Sequence, residues 1–368
     1  MKEAERRPPV KPVKVALLLS EGAASRGGIG RIMANLDEEL GERHPDIRAR
    51  RHATRLTGRP VLNHLSTPFA LARFAISCAA GQVDIAHINI APRGSTWRKM
   101  LFARTARRFG AKLVLHLHGS AYDEWFHGLT PARRRGVAAF FQGADAVVAM
   151  GDYWARFLID ELGMPAAKVH LIANGVADRP VSPGSAEGAP PVLAVLGIVG
   201  ERKGTDVLLA ALASEAMRDR PWRAIIGGNG EVEKARRSAA ELGLADRVEF
   251  TGWVGPAEVD AILRQADIYI LPSRQENQPM SILEAMACAL PVLSTRIGAI
   301  PEQVIEGETG LLVPAGDAPA LAGALEKLLA DPALCRSMGT AGQGRQRRLF
   351  SIRTGADRFA ALYRGLVG

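Results

Sequence analysis

The segment over residues 267–290 constrains the fold most, because it joins a short buried strand to a helix without a polar face. Residues 267–271 (DIYIL) have the length and the β-branched content of a buried strand. A loop punctuated by Pro and Asn follows, and a helix is predicted over residues 279–290 with Pro279 in its first turn. A helix that is apolar all round must be buried. The segment therefore predicts an open α/β sheet.

Two carboxylates mark this segment as a binding site. Glu284 lies in the middle of the apolar helix, where a charge is costly unless it has a partner. Helical side chains lean toward the N-terminus, so Glu284 is expected to point toward the loop that carries Glu276. The free N–H groups of Met280–Leu283 suit a phosphate, and ligands of open α/β sheets bind at the carboxyl ends of strands. A nucleotide sugar fits this combination. The alternative is a helix with an acidic residue near its favourable end, which leaves the burial of Glu284 unexplained.

Length and composition limit the class of protein. The 368 residues allow two domains of about 150–200 residues, each with its own core. No apolar run approaches the roughly 18 residues of a membrane span, and residues 1–12 are too charged and Pro-rich for a signal peptide. The three cysteines (Cys78, Cys288 and Cys335) are scattered and lack metal-site spacing, so reduced thiols in the cytoplasm are expected.

The charge is distributed unevenly. Residues 1–180 contain 27 Lys and Arg against 16 Asp and Glu, a balance of +11, whereas residues 181–368 have 20 against 22, a balance of −2. The basic half is expected to meet an anionic partner. Because no helix-turn-helix, zinc or RNA-binding pattern is present, nucleic acid is not expected. An anionic membrane surface at the inner face of the membrane, or a phosphate-linked acceptor, fits better.

Strands and helices alternate through both halves. Nearly continuous apolar runs, typical of parallel strands, are followed by helical segments. The predicted strands of the first half cover residues 13–20, 83–90, 112–119, 143–150 and 168–176, and its helices cover 31–40, 69–80, 97–109 and 153–162. A strand with a loop is predicted within 43–59. In the second half the strands cover 192–196, 223–227, 248–250 and 310–314, and the helices cover 205–213 and 356–366. Residues 178–191 have the composition of a linker.

Three local patterns in the first half each have two interpretations. The glycines at 27, 28 and 30 form a loop that either approaches a phosphate or hydroxyl, or is merely tight. His116 and His118 share one face of a strand, as packed core residues or with His118 facing a ligand. The helix over residues 97–109 carries Trp97 and several arginines, including Arg107, so it either lies on a membrane or is an ordinary solvated helix.

Glu276 and Glu284 resemble the Glu-x7-Glu signature of family 4 retaining glycosyltransferases, since seven residues separate them and Ala-Met-Ala and Pro-Val follow. The resemblance covers nearly the whole chain. It implies the GT-B fold: two Rossmann-like domains with parallel sheets facing across a cleft, and a C-terminal helix that crosses back to the first domain. The implied domains are an acceptor domain over 1–177, the linker over 178–191, a nucleotide-sugar domain over 192–350 and the returning helix over 351–368.

The resemblance also implies a reaction and a set of site residues. The reaction is the transfer of a sugar, with retention and without a metal or further cofactor, from a UDP- or GDP-linked donor to a saccharide or lipid-linked acceptor, as in surface polysaccharide biosynthesis. His118, Lys203 and Glu276 are the implied catalytic residues, with Lys203 on the phosphates, Glu276 on the sugar and Glu284 on the ribose. The implied donor contacts are Gly28, Gly30, Arg202, Lys203, Gly228, Gly230, Trp253, Val254, Glu276, Pro279, Met280, Ser281, Ile282 and Glu284.

One position departs from the family pattern. The spacing from Gly197 to Lys203 is kept, but Ile198 stands where relatives carry an arginine that meets the diphosphate. Arg202, or Arg26 or Arg31 of the first domain, is the expected replacement. A non-catalytic partner subunit is the main alternative. A GT-B epimerase is a second alternative, and a dinucleotide oxidoreductase is disfavoured because no G-x-G-x-x-G opens either domain.

Overall fold

The computed structural model describes residues 11–20, 28–55 and 63–368, and the chain forms two compact units. The first unit runs to Ala149 and also includes Ala155–Ile172 and Gly355–Gly368. The second unit consists of Met150–Trp154 and Ala173–Thr354, so the predicted linker over residues 178–191 is part of it. Arg26 and most of the predicted glycine-rich loop lie outside the described residues.

The first unit is built on a six-stranded parallel sheet in the order β2-β1-β3-β4-β5-β6. Its inner strands are buried on both faces, as their unbroken apolar runs predict. The strands are β1 Val13–Leu19, β2 Ile47–Ala53, β3 Ile85–Ile90, β4 Lys112–Leu117, β5 Ala146–Ala149 and β6 Val169–Leu171.

The helices that follow these strands are α1 Gly28–Arg43, α2 Asn63–Ala79, α3 Gly94–Arg108, α4 Tyr122–His127, α5 Pro131–Gln142 and α6 Asp152–Arg156, the last continuing into a π-helical turn over Phe157–Glu161. Gly28 and Gly30 lie in the first turn of α1, so the expectation that they belong to a loop is wrong. The C-terminal helix α15, Ile352–Val367, packs on the first unit as predicted: Tyr363 and Phe359 contact His87.

The second unit repeats the plan with the sheet order β12-β11-β10-β7-β8-β9. Its strands are β7 Val192–Leu196, β8 Arg223–Gly227, β9 Val248–Gly252, β10 Ile268–Leu271, β11 Val292–Thr295 and β12 Gly310–Val313. Its helices are α7 Thr205–Leu212, α8 Glu215–Arg218, α9 Val232–Glu241, α10 Pro256–Gln265, α11 Met280–Ala287, α12 Ile300–Gln303, α13 Ala318–Ala330 and α14 Pro332–Leu349. Asp317 and Asp331 cap α13 and α14 by accepting N–H groups of their first turns.

Each sheet has a point where the strand order reverses. In the first sheet β1 lies between β2 and β3, and in the second sheet β7 lies between β10 and β8. Ligands of doubly wound sheets bind outside the carboxyl ends of the strands at such a switch point. The loops after β1 and β3, and those after β7 and β10, are therefore the places to look for ligand-binding groups. In the described part of the chain, no helix combines the length and apolar character needed to cross a membrane.

Candidate active site

The loops after β7 and β10 meet at the switch point of the second sheet. Gly204, at the end of the first loop, has a φ of 69°, and a Cβ built on it would lie 1.9 Å from the carbonyl oxygen of Pro272. Only glycine allows this approach, because an L-residue would be strained and would overlap the backbone. The two loops are thus packed backbone against backbone.

Lys203 and Glu276 come together at this junction. The ammonium of Lys203 donates to Glu276 Oε1, and the hydroxyl of Ser273 donates to the same oxygen at 2.8 Å. Both charged side chains are largely buried, with 16% and 8% of the side chain exposed. The aliphatic part of Lys203 lies against Gly197. The cation and the carboxylate are therefore held in fixed positions, each compensating the other's buried charge.

Arg274 fastens the two loops beside this pair. Its guanidinium donates two hydrogen bonds to Asp206, at 2.6 and 2.7 Å, and a third to the carbonyl of Glu201 at 2.8 Å. Its backbone N–H donates to the carbonyl of Arg202 at 2.9 Å. The hydrogen bonds from Arg274 lower the pKa of Asp206. Arg202 is exposed and donates to the carbonyl of Gln275 at 3.3 Å, so its guanidinium lies beside the loop of Glu276.

Helix α11 presents its N-terminus to the same junction. Pro279 is the N-cap, and Met280, Ser281 and Ile282 form the first turn, whose N–H groups have no acceptor within the helix. Glu284 is buried, with 5% exposed, and accepts a hydrogen bond from Arg179 at 3.4 Å. The burial of Glu284 was expected, but Arg179 as its partner was not.

The remaining predicted donor contacts of the second unit lie on neighbouring loops. Gly228 has a φ of 155°, and a Cβ there would lie 1.7 Å from the carbonyl oxygen of Gly197. Ile198 is 53% exposed, and its Cγ2 would lie 2.9 Å from a Cβ on Gly230. These contacts join the loop after β7 to the loop after β8. On the next loop, Trp253 is 67% exposed and Val254 is half-buried against Gly227.

His118 belongs to a buried polar chain in the first unit. Asn89 donates to the carbonyl of Leu18 at 3.2 Å, which turns its amide oxygen toward His118 Nε2 at 2.7 Å. His118 Nε2 therefore carries the proton, and Nδ1 is left as the acceptor of the neutral ring. Burial lowers the pKa of His118 well below its usual value. The ring stacks 3.8 Å from that of His116, whose Nδ1 lies 3.1 Å from His87 Nε2.

Several residues of the site were missed from the sequence. Ser273 lies three residues before Glu276 and Arg274 two before, so their loop position was the available signal. Arg179 lies in a segment whose composition indicates a linker. The residues around it give no sign of its contact with Glu284, which is 105 residues away in the sequence. Among the described residues, no group of three or more His, Cys, Asp or Glu side chains is arranged to hold a metal ion.

Two family models together cover most of the chain. One described as a glycosyl transferase 4-like domain matches residues 12–175, and one described as glycosyl transferases group 1 matches residues 182–345. Among solved structures, sucrose-phosphate synthase from Thermosynechococcus elongatus superposes with a TM-score of 0.77 at 23% identity, over 96% of this chain and 98% of that one. HepE from Anabaena in complex with UDP gives 0.75 at 19% identity, over 96% and 100%. These likenesses confirm the predicted GT-B fold.

The relatives found by sequence have a higher identity to this chain than the solved structures do. The GDP-mannose-dependent alpha-(1-6)-phosphatidylinositol monomannoside mannosyltransferase of Mycolicibacterium smegmatis is 30% identical over 339 residues, which are 87% of this chain and 86% of that protein. A lipopolysaccharide core biosynthesis mannosyltransferase of Rhizobium leguminosarum bv. viciae is 30% identical over 73% of this chain and 72% of its own length. The chain therefore belongs to the family 4 glycosyltransferases, and its activity is the transfer of a sugar from a nucleotide-sugar donor in glycoconjugate biosynthesis.

Proposed function

We propose that the chain transfers a mannosyl unit from GDP-mannose to a lipid-linked acceptor, with retention of anomeric configuration and without a metal ion. The observation that carries this proposal is the Lys203–Glu276 pair at the switch point of the second sheet. The choice of mannose rests on the two mannosyltransferases of 30% identity. The α-linked product in the name of the mycobacterial relative supports retention, since GDP-mannose is itself α-linked.

The pair has separate tasks once the donor is bound. Lys203 turns from Glu276 to the diphosphate, whose charge is also met by Arg202 and the N–H groups of α11. Glu276 is then free to accept hydrogen bonds from the hydroxyls of the sugar. The N–H groups of α11 are already in place, so they lose little free energy to reorganisation when charge develops on the leaving diphosphate. Side-chain and backbone donors thus do the work that a divalent cation does in metal-dependent transferases.

The other site residues position the two ends of the donor. Glu284 accepts the ribose hydroxyls, while Arg179, which forms its closer ion pair with Asp260, compensates part of the buried charge. The exposed indole of Trp253 and the neighbouring Val254 border the base. On the first unit, the Nδ1 atom of His118 accepts a hydrogen bond from a hydroxyl near the reacting carbon. The neutral ring suits this role, because a protonated imidazole has no acceptor.

The acceptor's lipid explains the outer surface of α2 and α3. These packed helices expose Phe69 (61%) and Ile76 (69%) on α2, and Trp97 (37%) and Leu101 (42%) on α3. The arginines exposed on the same helices are Arg73, Arg104, Arg107 and Arg108, of which Arg107 lies at the edge of this surface, against Gly143 at the end of α5. Bulky apolar side chains among cations are typical of a surface that rests on an anionic membrane. This α2/α3 surface favours peripheral membrane attachment over the alternative of an ordinary solvated helix.

Substitution of the two glutamates tests the proposed site. Glu276→Gln removes the partner of Lys203 and the charged acceptor for the sugar, so turnover is expected to fall by at least about 10-fold, the equivalent of one charged hydrogen bond of about 1.5–3 kcal/mol. Glu284→Gln is expected to weaken GDP binding as well. Glu233→Gln, an exposed change on α9, is the matched control.

Product NMR and a chelator complete the test. The transferred sugar is expected to keep its α configuration, and EDTA to leave the rate unchanged. Normal transfer by both glutamate variants would place the site elsewhere. A product with inverted configuration would refute retention. A loss of activity in EDTA would refute metal independence.

The alternative of a non-catalytic partner subunit rests on Ile198, since the resemblance implies an arginine at that position. Ile198 is 53% exposed beside the glycines after β8 and offers no charge there.

A further inference from the structure

Lys99 is a buried cation that the donor site does not use. It lies on α3, is 1% exposed, and donates to the hydroxyl of Ser95 at 2.8 Å. Among the described residues, its ammonium is thus held by a neutral hydroxyl and not by a carboxylate. Burial, with the nearby positive charges of Arg98 and Arg55, lowers the pKa of Lys99 to about 7. The lysine therefore loses much of its charge near neutral pH, which lessens the cost of burying it, and an anion bound beside it would restore the charge.

Arg98 brings a second cation to the same place. Its guanidinium donates to Thr54 Oγ1 at 3.2 Å and approaches Ser20 Oγ at 3.5 Å. Both partners are neutral hydroxyls. In the sequence Arg98 was grouped with the arginines of a solvated or membrane-facing helix, but the structure turns it inward. Two adjacent positive charges are therefore held by hydroxyl groups alone among the described residues.

The position of this cluster in the fold is that of a ligand site. Ser20 follows β1, Thr54 follows β2, and α3 begins just after β3, so the cluster lies at the switch point of the first sheet. The N-terminal N–H groups of α3 add a partial positive charge.

His118 is next to the loop that leads into α3. A Cβ on Gly119 would lie 2.4 Å from the side chain of Pro92, two residues before α3. Burial and the charge of His87 lower the pKa of His118, and the charge of Lys99 adds to this effect, so Lys99 and His118 are electrostatically coupled.

We propose that Lys99 and Arg98 form a subsite for a phosphate ester of the acceptor. This inference rests on the proposed function and names the acceptor's chemistry: a hydroxyl compound that carries a phosphate close to the hydroxyl that receives the sugar. The donor's own diphosphate has Lys203, Arg202 and the N-terminus of α11 in the second unit. The phosphate has two sources, a soluble polyol phosphate or the phosphodiester of a phosphoinositide headgroup.

Calorimetric titration of the full chain tests the subsite. The probes are inorganic phosphate, myo-inositol 1-phosphate, uncharged myo-inositol, and phosphatidylcholine vesicles with or without phosphatidylinositol. Lys99→Met and Arg98→Met each remove one charge and keep the length of the side chain. Lys112→Met removes an exposed charge from the opposite end of β4 and is the control.

Both cluster variants are expected to weaken binding of inositol phosphate by at least about 10-fold, which is about 1.4 kcal/mol. The control is expected to bind as the wild type does. The wild type is expected to bind more weakly at about pH 9 than at about pH 7, an interval in which Lys99 loses its proton while the phosphate, with a second pKa of about 6, is already mostly dianionic. Tighter binding of the soluble ester identifies a polyol phosphate as acceptor, and tighter binding of the phosphatidylinositol vesicles identifies a lipid headgroup. Either supports the subsite when Lys99→Met and Arg98→Met lose that binding, since the α2/α3 surface alone also attracts anionic vesicles.

Unchanged binding by both folded variants, or equal binding of inositol and its phosphate by the wild type, overturns the proposal. So does an equal loss of GDP affinity in the variants, because the cations would then serve the donor. Thermal melts confirm that the variants fold. If Lys99→Met does not fold, the binding of inositol phosphate by Arg98→Met alone tests the subsite. Turnover of GDP-mannose by the wild type is measured separately. If the wild type does not turn over GDP-mannose but still binds inositol phosphate through Lys99, the proposed function is wrong and the subsite is still supported.

Discussion

Ile198 is the residue on which an enzyme and a non-catalytic subunit differ most sharply. An isoleucine offers nothing to a diphosphate, and loss of one preorganised donor typically costs about 10²–10³ in rate. In the structure Ile198 packs on Gly230, while Arg202 reaches the loop of Glu276 from four residues further on. Arg202 is thus the favoured replacement cation. Arg31 is half-buried on α1, and Arg26 lies outside the described residues.

Three substitutions decide between these alternatives. Lys203→Ala and Arg202→Ala are each expected to abolish most turnover while GDP binding weakens, because in the proposed site both cations meet the diphosphate. Ile198→Arg is expected to change turnover little if Arg202 already supplies the charge. The measurements are donor binding by calorimetry and sugar transfer. A wild type that binds no nucleotide sugar, with binding restored by Ile198→Arg, would identify a degenerate partner subunit.

Lys99 makes a prediction about stability that is independent of any ligand. Its pKa is about 7 in the folded chain and 10.5 in an unfolded one, so the unfolded chain binds more protons between these values. The free energy of unfolding contributed by Lys99 therefore rises as the pH increases from about 7. The cysteine thiols, whose pKa burial raises to about 11, act in the opposite sense above pH 9.

Urea unfolding at about pH 7 and about pH 8.5 isolates the lysine. The wild type and Lys112→Met are expected to gain stability over this interval, whereas Lys99→Met is expected to lack this contribution. An identical gain in all three proteins would show that Lys99 is not perturbed.

At the scale of elements, the contact between the loops after β7 and β10 depends on Gly204. Gly243 has nearly the same φ, 73° against 69°, but a Cβ on it would meet nothing within 4 Å. Gly243→Ala is expected to cost about 1–2 kcal/mol, the strain of a left-handed alanine. Gly204→Ala adds the overlap with Pro272, at about 1–3 kcal/mol more, and separates Lys203 from Glu276. Chemical denaturation and GDP binding measure both effects; equal losses in the two variants would mean that the loops are not in close contact.

Most of the buried elements that the sequence predicted have continuous apolar runs. Strands such as β4 and the apolar helix α11 bury almost every side chain, so hydrophobicity alone revealed them. Helix α9 was missed because its buried residues are only Ala235 and Ala239. Helix α14 packs largely through Gly339, Gly342, Gln343 and Gln346, which carry no hydrophobic period. Contacts through small or polar residues leave little trace in a pattern of hydrophobicity.

In the site, too, residues within sequence motifs were predicted, whereas contacts between residues far apart in the sequence were not. Lys203 and Glu276 were placed at one site from their motifs, and the structure brings them into contact across 73 residues. The role of Arg179 could not be predicted, since it depends on which carboxylates the second unit buries near it. Lys99 was also missed, because one position on a basic helix differs from its neighbours only in the direction it faces.

At the scale of the whole molecule, the net charge of +9 is concentrated in the first 180 residues. If the α2/α3 surface rests on a membrane, attachment should combine an electrostatic and an apolar part. Liposome flotation with phosphatidylglycerol vesicles is expected to show binding that weakens as salt is raised, because screening acts on exposed arginines. The double variant Trp97→Ala with Arg107→Ala is expected to lose most binding, whereas Arg223→Ala, an exposed change in the second unit, should not. Absence of binding at low salt, or full binding by the double variant, would contradict this surface.

The path of the chain has a consequence for engineering hybrid transferases. The polypeptide leaves the first unit at Ala149, returns at Ala155, leaves again at Ile172 and returns at Gly355. No single cut in the gene therefore encodes either unit whole. A hybrid that takes its donor specificity from this protein and its acceptor specificity from a relative must also choose the origin of Met150–Trp154 and of the last 14 residues. A crossover at the apparent boundary near residue 178 alone would assemble each unit from two parents, with the mismatched surfaces hidden inside both cores.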